Sequence, residues 1–158
     1  MKKLAVFAFG WALFLSSCNK KNDSCSYDSC AIKAPDSEIA TLQNYLSSNS
    51  ITAAMHCSGV FYSIQAEGTA GNPTACSNIS VKYKGMLTNG SVFDQTATPV
   101  GFNLGMLVPA WRNVLPLIKG GGRIIMYVPP TLGYGSQANG PIPANSILIF
   151  EVDLVTVN

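Results

Sequence analysis

Hydrophobic and polar positions change their rhythm along this chain, and each rhythm predicts a different element. Lys2-Lys3 is followed by an apolar run from Leu4 to Leu15. That run is too short for a membrane-spanning helix, which needs about 20 apolar residues, and it has the length of the apolar core of a secretory signal. From Asn19 to Pro35 the chain is polar without periodicity, as a spacer is. Ile39, Leu42, Tyr45 and Leu46 then recur at helical spacing. Pro35-Asp36-Ser37-Glu38 supplies a helix start, with a capping side chain and acid in the first turn, and Ser47-Ser48-Asn49-Ser50 the stop.

Beyond Gly59 the period drops to two. Val60, Tyr62 and Ile64 alternate with Phe61, Ser63 and Gln65, until Gly68 to Pro73 interrupts. Val81, Tyr83 and Gly85 alternate with Lys82 and Lys84, and Asn89-Gly90 suits the positive backbone angles of a tight hairpin turn. Gly101-Phe102-Asn103-Leu104, Arg123 to Val128 and Ile147 to Val157 read as further strands. Pro109 to Leu115 suits a short helix with proline in its first turn and Pro116 ending it. Mostly strands with one short interior helix predicts an α+β fold, an antiparallel sheet packed on a helix, with an additional N-terminal helix.

Composition fits this picture: 158 residues, 47% apolar and 11% charged, with no repeat or low-complexity tract. The formal charge is +2, but Lys2 and Lys3 lie in the segment expected to be removed, leaving eight basic and eight acidic side chains. A near-neutral surface offers no footprint for nucleic acid, and no basic run points to anionic lipid. The chain accordingly divides into a signal peptide (1–17), a spacer (18–35), a helix with its connector (36–56) and a principal domain (57–158).

Five cysteines refine the compartment. Leu15-Ser16-Ser17-Cys18 resembles the bacterial lipobox, which implies acylation of Cys18 and a membrane anchor in the cell envelope. Asn19 after that cysteine, instead of the aspartate that resembles an inner-membrane retention signal, points to the outer membrane. Cys25, Cys30, Cys57 and Cys76 make an even number in an exported chain, so disulfides are expected. A zinc site has little to work with, since there is no Cys-x-x-Cys and His56 is the only histidine. Four cysteines allow three connectivities. The expected one is Cys25–Cys30 with Cys57–Cys76, the latter closing a loop of about twenty residues worth roughly 3 kcal/mol.

Chemistry is carried by few residues. Gly120-Gly121-Gly122 lacks the Lys-Ser/Thr ending of a phosphate loop, and a lone histidine leaves no Ser-His-Asp triad. Val92-Phe93-Asp94, by contrast, sets a large ring beside a carboxylate at a hairpin exit, where small polar residues are usual.

Four motifs in order carry a family resemblance. Val81-Lys-Tyr-Lys-Gly-Met-Leu-Thr-Asn-Gly-Ser-Val-Phe-Asp94 is similar to the hairpin of FKBP-type peptidyl-prolyl isomerases, and Leu107-Val108-Pro109-Ala110-Trp111 to that family's Val-Ile-Pro-Gly-Trp element. Val128-Pro-Pro-Thr-Leu-Gly-Tyr-Gly135 resembles its Pro-Pro-Glu-Leu-Ala-Tyr-Gly run, and Pro141 to Val152 closes the match. The resemblance implies a twisted antiparallel sheet wrapped on the short helix and isomerase activity on X-Pro bonds of exported polypeptides, without cofactor or metal. It places a pocket at Tyr83, Phe93, Asp94, Phe102, Leu107, Val108, Trp111, Tyr134, Ile142 and Phe150, with Trp111 as floor. The Val108 N–H and the Tyr134 hydroxyl would donate to substrate carbonyls, and Asp94 would accept from Tyr83 or a ligand hydroxyl. Macrolides such as tacrolimus and rapamycin are implied ligands, and the chain is read as a monomer.

Two departures bear on preference. Ala110 replaces the glycine before the tryptophan, which disfavours a positive φ there, and Val100 stands where many members have phenylalanine. The alternative from another class is a non-catalytic peptide-binding or chaperone module of the same fold.

Overall fold

The computed structural model describes residues 25–158; the expected signal segment and Cys18 lie outside them. Helix α1 (Asp36–Ser48) precedes strands β1 (Ala54–Met55), β2 (Phe61–Ala66), β3 (Asn78–Leu87) and β4 (Val92–Asn103). Helix α2 (Pro109–Val114), β5 (Gly122–Val128) and β6 (Leu148–Val157) complete the chain. The strands form one six-stranded sheet in the order β1-β2-β5-β6-β3-β4, with every pairing antiparallel.

The alternation of side chains in β5 and β6 serves two covered faces. Ile124, Met126 and Val128 of β5 and Leu148, Phe150, Val152 and Leu154 of β6 point into the main core, where α2 contributes Ala110, Trp111 and Val114. The intervening Tyr127 and Ile149 join Phe61, Leu42 and Leu46 in a second cluster under α1. In β2 the alternation does not sort one dry face from one wet face: Phe61 is buried under α1, while Ile64 further along is exposed. Pattern alone could not show this, because the cover comes from a helix outside the sheet.

The α1 start lacks the expected capping side chain. Pro35 occupies the cap position, and its carbonyl accepts from the Glu38 and Ile39 N–H groups. Glu38 turns outward to Thr131, its two carboxylate oxygens accepting from the backbone N–H at 2.9 Å and the hydroxyl at 2.8 Å. The helix end is thus tied to the loop after β5.

The disulfides differ from the expected pairing. Cys25 is joined to Cys76 and Cys30 to Cys57, with Cα–Cα distances of 5.8 and 5.5 Å, ordinary for a bridge. The segment before α1 is laid along the domain, Tyr27 donating to Asn113 at 2.6 Å and Ala34 to the Ser58 carbonyl at 2.9 Å. Each of its cysteines meets a domain cysteine, a juxtaposition that sequence spacing does not encode.

Candidate active site

The site is built where β3, β4, β6 and α2 converge. The hairpin between β3 and β4 turns on Gly90 alone: it has φ +84°, and its N–H donates to the Leu87 carbonyl at 2.9 Å. Asn89 keeps a negative φ and accepts from the Ser91 N–H through its side chain. This corrects the expectation of positive angles at both residues and matches a turn followed by one left-handed glycine. The return strand β4 lies at the sheet edge, where Pro99 is tolerated because no neighbour needs its missing N–H. Its register shifts between Val81 and Tyr83 of β3.

Five rings form a connected set. Tyr83 meets Trp111 edge-on at 5.6 Å and 83°, and Trp111 meets Phe150 at 5.4 Å and 84°. Phe150 in turn meets Phe93 at 5.6 Å and 87°, while Tyr83 tilts against Phe102 at 6.1 Å. Edge-to-face pairs of this kind lock ring planes and contribute about 0.5–1.5 kcal/mol each beyond burial. Gly85 makes the set possible: a Cβ built there would stand 2.5 Å from two Phe93 ring carbons and 3.2 Å from Phe150 Cε1. Gly85 pairs with Asp94 on one side and Phe150 on the other, so its missing side chain lets both rings fold over β3. Gly85 stood in the sequence only as part of an alternation. The legible signal was a glycine interrupting a strand, which marks a close approach.

The structure brings nine of the ten expected residues around one cavity of about 170 Å³: Tyr83, Phe93, Asp94, Phe102, Leu107, Val108, Trp111, Tyr134 and Phe150. Ile142 does not line it; it is buried in the main core on the loop before β6. Trp111 is only 4% exposed and Tyr134 is 39% exposed, which sets a closed end and an open rim. Ala110 is fully buried within α2 and has no positive φ, so this backbone does not need the glycine. Val100 packs on the main core and does not line the cavity.

Asp94 is held by a short hydrogen bond from the Tyr83 hydroxyl, 2.5 Å long. Burial first, then this bond and the carboxylate charge, push the Tyr83 phenol up to about 12. Burial and the Asp94 charge also raise Tyr134. Both phenols stay protonated at neutral pH as donors. Among the described residues the Tyr134 hydroxyl has no hydrogen-bond partner, and the Val108 N–H has no backbone acceptor.

Other surface features are weaker candidates. A broader groove of about 520 Å³ is lined by Lys82, Lys84, Arg123, Glu151 and Asp153, and Arg123 is paired there with both acids. Cys30, His56 and Cys57 gather within metal-ligand reach, but both cysteines are consumed by the Cys30–Cys57 disulfide.

Residues 70–155 match the model of the FKBP-type peptidyl-prolyl cis-trans isomerase family. The chain belongs to that family. A probable FKBP-type isomerase of Haemophilus influenzae is 40% identical over 105 residues, 64% of this chain and 44% of the relative. FkpA of Escherichia coli is 37% identical over 102 residues, 63% of this chain and 38% of FkpA. The chain thus spans less than half the length of these relatives. The crystal structure of E. coli FkpA superposes with a TM-score of 0.70 at 30% identity, covering 78% of this chain and 60% of that one. An isomerase from Pseudomonas syringae gives a TM-score of 0.69 at 24% identity, over 80% and 98%, and speaks for the FKBP fold alone.

Proposed function

We propose that this protein is a peptidyl-prolyl cis-trans isomerase that speeds the folding of exported polypeptides, anchored to the outer membrane of the cell envelope through lipid on Cys18. The observation that carries the activity is the ring-walled cavity closed by Trp111 with two uncommitted donors beside it, the Tyr134 hydroxyl and the Val108 N–H. An X-Pro bond interconverts slowly because twisting its planar amide crosses a barrier of about 18–20 kcal/mol. Twisting removes resonance, so the carbonyl loses polarity and the nitrogen becomes pyramidal. A water-poor aromatic cavity accommodates that state better than water does, while the donors orient the flanking carbonyls. No proton moves in the reaction, so Asp94 positions the Tyr83 hydroxyl and is not a base.

The test is a protease-coupled assay on X-Pro peptides. Acceleration that falls at least tenfold in Phe93→Ala supports the reading; absence of acceleration, with unfolded clients still held, assigns the chaperone alternative. Quenching or shift of Trp111 fluorescence on titration with tacrolimus or rapamycin reports the same cavity. The anchor rests on Leu15-Ser16-Ser17-Cys18. Among the described residues no helix is long and apolar enough to cross a membrane. Incorporation of labelled fatty acid into the wild type but not Cys18→Ser checks the anchor, and its loss from both variants refutes it.

A further inference from the structure

Helix α2 has a second face, and it is not silent. Trp111 closes the aromatic cavity, whereas the next two residues, Arg112 and Asn113, line a separate cleft of about 350 Å³ on the other side. Asn113 is 3% exposed; its Oδ1 accepts from the Tyr27 hydroxyl at 2.6 Å, and its buried Nδ2 has no hydrogen-bond partner. The buried Nε of Arg112 has none either. The Arg112 guanidinium lies 5.2 Å from the Tyr27 ring and makes no ion pair among the described residues.

Two buried donors on adjacent residues, one of them cationic, are costly to leave unmet, about 1–3 kcal/mol for each group and more for a charged one. No acid lines the cleft, and Pro73, Ala75, Pro116 and Leu117 give it apolar walls. Burial holds the His56 imidazole below its usual range, so Arg112 is the lasting positive charge. A neutral carbonyl would meet the Asn113 donor but leave that charge unanswered. We propose that this cleft is a second binding site for a carboxylate carried on a short apolar stem, with Arg112 Nε–H and Asn113 Nδ2–H donating to its oxygens and Tyr27 moving aside to admit it. The carboxylate belongs either to a free short-chain acid or to the C-terminus of a polypeptide.

The Arg112 Nε–H and Asn113 Nδ2–H resonances are followed by NMR in the whole chain. One arm titrates butyrate against butyramide, the other a short peptide with a free C-terminus against its amidated twin. Both resonances shift and saturate with a carboxylate and not with its amide; response to butyrate assigns a free acid, and response to the peptide alone assigns a chain end. Arg112→Gln weakens the response about tenfold or more, as loss of a charge-assisted bond does. Leu117→Asp, which leaves both donors in place and adds a negative charge at the exposed lip, weakens it as well, so the result does not hang on one variant folding. Equal shifts with the amides, no shift with either acid, or a long-lived water bound at unchanged resonances overturns the proposal.

Discussion

Gly85→Ala separates the site from the stability of the fold. The added Cβ falls 2.5 Å from Phe93 Cε2 and Cζ, about 1 Å inside the optimum for carbon–carbon contact. The atoms it meets are the far end of a side chain, so the Phe93 ring swings out while β3 stays paired. That movement forfeits the Phe93–Phe150 edge-to-face contact, about 0.5–1.5 kcal/mol. Against this, alanine in place of glycine restricts the unfolded chain and returns about 0.4–1 kcal/mol, because Gly85 has no positive φ. The net change in urea unfolding is within about 1 kcal/mol of zero. The cavity, however, loses a wall, and kcat/KM on X-Pro peptides falls tenfold or more, equivalent to about 1.4 kcal/mol of transition-state binding. In a Phe93→Ala background the clash has no target, so Gly85→Ala adds no further loss of activity; the two changes are non-additive as contacting residues are. Full additivity in the double variant, or a Gly85→Ala protein with unaltered turnover, shows that Gly85 does not act through the Phe93 ring.

Further outcomes follow from burial and charge. Leu42→Ala, at a fully buried position against Phe61, Tyr127 and Ile149, lowers stability by about 2–5 kcal/mol in denaturant unfolding and leaves X-Pro turnover nearly unchanged, since α1 packs on the face opposite α2. Tyr83 ionises at about 12 in the folded chain against 10.0 ordinarily. Its contribution to stability is therefore complete below pH 10 and is lost as pH rises through about 12; phenolate absorbance near pH 10 is the same in the wild type and in Tyr83→Phe, and a wild-type excess of one titrating tyrosine there refutes the shift. Replacing Cys25 and Cys76 by serine reopens a 51-residue separation and costs up to about 4 kcal/mol on the chain-entropy model, read as a lower melting temperature with the Cys30–Cys57 bridge intact.

Local rules carried much of the architecture into view. The i, i+3, i+4 spacing of Ile39, Leu42 and Leu46 identified α1, and Pro109 at the first turn fixed the start of α2. The aromatic positions around the cavity were legible because four motifs occur in order. The rest failed for identifiable reasons. Ile142 resembled a wall residue by position in its motif, yet the loop bearing it folds that side chain into the core. Asn89-Gly90 has the dipeptide of a two-residue turn, but the Leu87 N–H donates to the Ser91 carbonyl, so the turn holds three residues and needs only Gly90 left-handed. The cover over Arg112 and Asn113 comes from Tyr27, more than eighty residues earlier, which the local sequence of a short helix does not encode.

What this sequence determined by itself was everything that depends on neighbours along the chain: helix and strand periods, the proline start of α2, the sheet's antiparallel character and the kinds of residue available to a site. Tertiary structure decided what depends on distance across the chain. It set α1 over the outer face of the sheet, paired Cys25 with Cys76 and Cys30 with Cys57, and brought Gly85 under the Phe93 ring. Period and propensity act over a few residues, whereas a disulfide partner or a ring's landing place is fixed only when packing brings distant segments within a few ångströms.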